Sequence, residues 1–142
     1  MLRHLFVPLV VGAAAIAAAC SSSTAPASLT GPYVGTYTMD SVTASNLKGV
    51  FPPNGTLDSA DGVQGTLKLT SDSFYFAMTG PFPAGFATRD SGTFSISSSN
   101  QWTLDGTLFS GTGTGALVGN QLQITLTGGA ALGNLYGLFT KQ

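Results

Sequence analysis

From Tyr33 onward, large apolar residues alternate with hydroxyl and amide residues in short runs, and glycine, asparagine or serine ends most of them. Tyr37 and Met39 alternate with Thr36, Thr38 and Asp40. Leu67 and Leu69 alternate with Thr66, Lys68 and Thr70, and Phe74, Phe76 and Met78 follow at the same spacing. Phe94 and Ile96, then Trp102 and Leu104, then Leu122, Ile124 and Leu126 repeat the pattern. A period of two puts the apolar groups on one face of a strand and the polar groups on the other. Each strand then needs a partner that covers its apolar face, which restricts the chain to an all-β fold. No stretch after Thr30 offers helical periodicity with caps, and the β-branched content argues against helix.

Turn chemistry agrees with the breaks. Ser71-Asp72 and Ser98-Ser99-Asn100 each separate two strands, and Gly119-Asn120 is a two-residue hairpin signal. Asp105-Gly106 fits a further turn or the interior of a longer strand. A short Gly-Thr-apolar repeat recurs at Gly35, Gly65, Gly92 and Gly106, where glycine suits the bends of a small barrel. The expected architecture is an antiparallel up-and-down meander of about eight strands, closed into a barrel or folded as a sandwich. Two long connections interrupt it, from Thr43 to Gln64 and from Thr79 to Thr88. Their aromatics Phe51, Phe82 and Phe86 either plug one end or form a lid over a cavity.

The first residues have a different character. Arg3 precedes an apolar run from Leu5 to Ala19, closed by Ala17, Ala18 and Ala19 before Cys20. This is the three-part layout of an export signal, and it is well short of the roughly 20 residues of a membrane-spanning helix. The chain therefore divides into a signal over 1–19, a Ser/Thr-rich tether over 20–30 and one domain over 31–142.

The small residues ahead of the lone Cys20 resemble the lipobox of bacterial lipoproteins. The segments from Tyr33 to Val42, Leu67 to Phe74, Gly92 to Ile96 and Leu117 to Leu126 resemble bacterial lipocalin-like lipoproteins in their hairpin rhythm. Gly35-Thr36-Tyr37 stands where lipocalins carry Gly-x-Trp. The resemblance implies a small lipocalin-like barrel, lipidated at Cys20 and joined to the membrane through that anchor. Ser21 and Ser22 are not the aspartate that retains some lipoproteins at the inner membrane, so the expected address is the cell envelope, at the outer membrane. The resemblance transfers no binding residue.

Candidate chemistry is sparse. Charged residues make up 8% of the chain and the net charge is −1. Lys48, Lys68, Arg89 and Lys141 are scattered, which excludes a nucleic-acid partner. The single histidine, His4, lies in the export signal and there is no glutamate, so the domain has no Ser-His-Asp or Cys-His arrangement. We expect no enzyme, no cofactor and no metal site. Zinc lacks ligands, and Asp58 and Asp61 read as a solvated loop. The aspartates in general fall in turns and on outward positions. Gly111-Thr112-Gly113-Thr114-Gly115 lacks the Lys-Ser/Thr and the helix of a phosphate cradle and reads as a glycine-rich strand. Runs of about six residues also fall short of the roughly 9–11 that cross a membrane in a β-barrel.

An eight-stranded barrel is either packed solid or holds one small ligand. An open lumen would make the domain a binding module for a small apolar ligand, walled by Tyr37, Phe76, Phe94 and Trp102 under the Phe51 and Phe82 loops. A solid core would make it a structural or protein-interaction lipoprotein, its protein partners not readable from the chain.

Overall fold

Wherever the alternation can bury one face, it becomes strand. The computed structural model describes residues 29–47, 55–81 and 86–142. Its strands are β1 (Gly35–Ala44), β2 (Thr56–Asp58), β3 (Gln64–Leu69), β4 (Ser73–Gly80), β5 (Phe86–Ile96), β6 (Trp102–Asp105), β7 (Ser110–Val118), β8 (Gln121–Gly129) and β9 (Gly133–Lys141). From β3 to β9 each strand pairs antiparallel with the next, β1 pairs with β3, and β9 returns to β1. The result is a closed eight-stave up-and-down barrel, as the meander pattern predicts. Closure satisfies the backbone groups that an edge strand would leave bare.

β2 and β3 are two pieces of one stave. β3 occupies Gly35 to Thr38 of β1, and β2 occupies Ser41 to Thr43 along the same edge. Residues 59–63 make an excursion between them, tied back by Ser59 N–H to the Asp40 carbonyl and Val63 N–H to the Asp58 carbonyl. On the opposite edge Asp40 is absorbed as a bulge between Met39 and Ser41 in the β1–β9 ladder.

The inward register is the one the sequence predicts. Tyr37, Met39, Leu67, Leu69, Phe74, Phe76, Met78, Phe94, Trp102, Leu104, Leu122, Ile124 and Leu126 are all buried and form one core with Phe109 and Phe139. A one-residue slip would turn each of these sets to solvent, so burial fixes the register.

Three expectations need correction. The strands are longer than about six residues: β1 has 10, β5 has 11, and β7, β8 and β9 have 9 each. Strand length therefore does not exclude a membrane barrel. The faces do: Lys68, Thr112, Thr114, Thr125 and Thr127 point outward and the apolar set points inward, the reverse of an outer-membrane barrel. The supposed loop from Thr79 to Thr88 is ladder at both ends, since Thr79 pairs with Ala87 and Gly80 with Phe86. Finally, Asp90 is inward and buried, not a turn or surface aspartate.

The two ends of the barrel differ. One is closed by short turns, of which Gly119-Asn120 is the tightest, joining Val118 and Gln121. Gly119 takes φ +63 there, matching the type II′ turn that places glycine first. The other end, the mouth, gathers the connections β1–β2, β4–β5, β6–β7 and β8–β9. Asp105-Gly106 is a turn: β6 stops at Asp105 and the β6–β7 connection begins.

Candidate functional site

The closed end is packed solid. Trp102 is fully buried, with the Tyr33 ring edge-on at 4.7 Å and the Phe94 ring at 5.0 Å. Its indole has room because β7 places Gly115 beneath it, where a Cβ would overlap the indole carbons. The glycine-rich segment is thus a strand in which Gly115 is space for tryptophan, while Gly111 and Gly113 lie close against the Thr127 and Thr125 carbonyls of β8. Below Trp102 the turn Gly31–Tyr33 seals the barrel. The Tyr37 hydroxyl donates to the Tyr33 carbonyl at 2.7 Å, and the Thr30 hydroxyl donates to the Ser71 carbonyl at 2.8 Å.

Burial, with a smaller contribution from the nearby Tyr33, raises the Tyr37 phenol above its ordinary value of 10.0. Its stabilising contribution is complete below that value. Above it the unfolded chain ionises while the fold keeps Tyr37 neutral, so stability falls as pH climbs towards the higher folded value. Tyr37→Phe should cost about 1 kcal/mol at neutral pH. The variant should also lose part of the alkaline destabilisation expected above about pH 10. Urea titrations of both proteins between neutral pH and about pH 11.5 check this, and parallel curves would refute it.

Midway up the lumen the chain does something an apolar barrel rarely does. β6 is only 4 residues long, and the connection after it folds inward instead of standing above the rim. Three successive backbone N–H groups aim at the Asp90 carboxylate: Thr107 at 3.0 Å, Leu108 at 2.9 Å and Phe109 at 2.7 Å. A carboxylate 7% exposed is costly unless its lone pairs are filled, and these bonds fill them. The tucked connection carries Phe109 onto Phe76, ring centroids 4.2 Å apart.

That inward loop divides the lumen. Above it, at the mouth, is an apolar pocket of about 180 Å³. Val42, Leu57, Phe76, Met78, Phe109 and Leu132 are among its walls, and among the described residues Thr88 is the one polar residue on them. The turn Ser45–Leu47 and the β8–β9 connection are joined across this rim by Asn46 N–H to the Leu132 carbonyl and Asn46 Nδ2 to the Ala131 carbonyl. A larger groove of about 530 Å³ lies beside the interrupted stave, but it is open and of mixed polarity.

The chain matches no family model, and no curated protein or solved structure is significantly similar to it. The site is therefore read from its own geometry.

Of the walls expected from sequence, Phe76 lines the pocket. Tyr37, Phe94 and Trp102 are buried in the closed half and do not reach it. Phe51, Phe82 and Cys20 lie outside the described residues. The residues that sequence reasoning missed are Asp90 and the Leu108-Phe109 pair. Asp90 shares the inward parity of Phe94 and Ile96 on β5, a signal available in the sequence. Among the described residues, no three His, Cys, Asp or Glu side chains converge as a metal site would require.

Proposed function

We propose that this protein is a lipid-anchored barrel of the cell envelope that holds a small apolar ligand in the mouth pocket. The observation that carries the binding reading is the pocket itself, a concave site at the mouth end of the barrel. Its described walls are apolar apart from Thr88, and it lies above a closed end filled by Trp102, Tyr37 and Phe94. An enclosed apolar cavity of about 150 Å³ lined by aliphatic and aromatic groups accepts benzene, and this pocket is of similar volume and lining. The scale suits a single ring or the apolar end of a small amphiphile. It is below the roughly 300–1,000 Å³ of sites for larger ligands. With Thr88 the one polar lining residue among those described, any polar part of the ligand is best left outside, at the rim. Binding is favoured over catalysis because, among the described residues, the one buried carboxylate is committed to three backbone donors.

The anchor rests on Arg3, the apolar run and Cys20 in an arrangement that resembles a lipobox. If the outer-membrane address holds, the barrel is tethered where apolar compounds partition. Incorporation of labelled palmitate, lost in Cys20→Ser, tests the anchor independently of the pocket.

The binding reading is tested by thermal denaturation in the presence of toluene. A ligand at tenfold excess over its Kd adds about 1.4 kcal/mol, or a rise of about 5 °C in Tm for a domain of this size. Leu132→Trp, in the β8–β9 connection and only partly buried, should fill the pocket and remove the rise. Equal shifts for both proteins, or none, would leave the solid-core alternative: a structural or protein-interaction barrel, consistent with the packed closed half.

A further inference from the structure

A second feature lies on the outside of the barrel, across β8, β9 and β1. There the β8–β9 register slips between Leu126 and Gly129 and opens the ladder beside Thr127. The surface groove at this place measures about 350 Å³, and its walls include Thr43, Ser45, Thr125, Thr127, Asn134 and Tyr136. Tyr136 points outward between its register partners Thr125 and Thr43, with 41% of its surface exposed. An aromatic ring standing in a field of hydroxyls and amides is an apolar platform with a polar surround.

The rim is partly fixed and partly unspent. Ser45 Oγ accepts the Asn134 backbone N–H at 3.0 Å, which holds the Ser45–Leu47 turn against β9. The Thr43 and Thr56 hydroxyls bond each other at 2.8 Å, and the Thr127 hydroxyl donates to the Thr112 carbonyl at 3.2 Å. Among the described residues, the Thr125 hydroxyl, the Asn134 amide and the Tyr136 phenol have no such partner. All three can donate and accept. Among the described residues no charged side chain lines the groove, so they offer nothing to pair with a phosphate, a carboxylate or a cation.

A neutral ligand with a flat apolar face and a ring of hydroxyls matches this set, and that is the chemistry of a pyranose. We infer that the groove is a binding site for a neutral saccharide, with Tyr136 stacking on the sugar face and Asn134 and Thr125 bonding its hydroxyls. The site is open and shallow, which suits weak, rapidly exchanging binding to a polymer better than tight capture of a single sugar. It is separate from the mouth pocket and stands or falls without it.

Affinity electrophoresis of the full chain, in a detergent without sugar groups, tests this through native gels containing dextran, xylan or laminarin. At least one polymer should retard the protein. Tyr136→Ala should weaken that retardation about tenfold, a loss of about 1.4 kcal/mol. Thr125→Val, which keeps the β-branched shape and loses the hydroxyl, should weaken it about threefold. Tyr75→Ala removes a tyrosine of equal exposure on β4 and should leave retardation unchanged. No retardation by any of the three polymers would overturn the inference, as would equal effects of Tyr136→Ala and Tyr75→Ala at matched melting temperatures.

Discussion

Asp90→Ala lowers the stability of the barrel by about 3–5 kcal/mol, a large part of the 5–15 kcal/mol that holds a typical domain. The carboxylate is the acceptor for three consecutive N–H groups, and removing it leaves all three without their partner. Each buried donor without a partner costs about 1–3 kcal/mol. Thr107 is exposed and Leu108 half-buried, so water can recover part of the loss at those two positions. The Phe109 bond is buried and its loss is not recovered. Phe109 also loses its hold on Phe76, which adds a packing term. The expected fall in Tm is roughly 10–20 °C. Asp90→Asn keeps the shape but turns an amide NH₂ towards donors, and should cost about 2–3 kcal/mol. Formate or acetate at high concentration should partly restore the Asp90→Ala protein, because the three N–H groups form a cradle for an anion. Amide exchange at residues 107–109 gives a local readout. An Asp90→Ala barrel within about 1 kcal/mol of the parent would show that the tucked connection is held by something else.

Replacing Gly115 tests the packing of the closed end. A Cβ at this position overlaps the Trp102 indole, which is boxed in by Tyr33 and Phe94 and has little room to retreat. Gly115→Ala should cost about 2–3 kcal/mol as overpacking, and Gly115→Val more. Trp102→Leu should cost about 3 kcal/mol through the void it leaves. Together, Gly115→Ala and Trp102→Leu should cost less than their sum by at least about 1 kcal/mol, because the added methyl enters space the indole has vacated. Urea denaturation of the four proteins measures this coupling. Additive effects would mean that the two residues do not share one space.

The comparison of chain and barrel shows where sequence carries structure. Tyr37 and Met39, Phe74 to Met78, and Leu122 to Leu126 were legible because a half-buried strand has one permitted register, and their spacing states it. Strand ends were less legible. Pro81 and Pro83 read as loop chemistry, yet Gly80 and Phe86 still pair, because the β4–β5 ladder continues right up to the connection. β2 has three residues within a long connection, too few to declare a period. Glycines at Gly111, Gly113 and Gly115 weaken an alternation signal: the Trp102 side chain supplies the missing bulk at Gly115, and the β8 backbone lies too close for a side chain at the other two. The inward parity of Asp90 was visible, but its partners were not. They are backbone groups 17 to 19 residues away, and hydrogen-bond donors of that kind leave no mark on a sequence. The mouth pocket follows from that unseen contact, because the loop that Asp90 draws in is its floor. Among the described residues, the expected walls Tyr37, Phe94 and Trp102 accordingly fell in the closed half, with Phe76 at the boundary.

The most direct test of the account is a titration of the methyl-labelled full chain with toluene, followed by NMR. The predicted result is saturable shifts at Val42, Leu57, Met78 and Leu132, the methyls around the mouth pocket, with Leu122 and Ile124 in the closed half unmoved. Shifts that never saturate, or that centre on Leu122 and Ile124, would contradict an apolar binding site at the mouth.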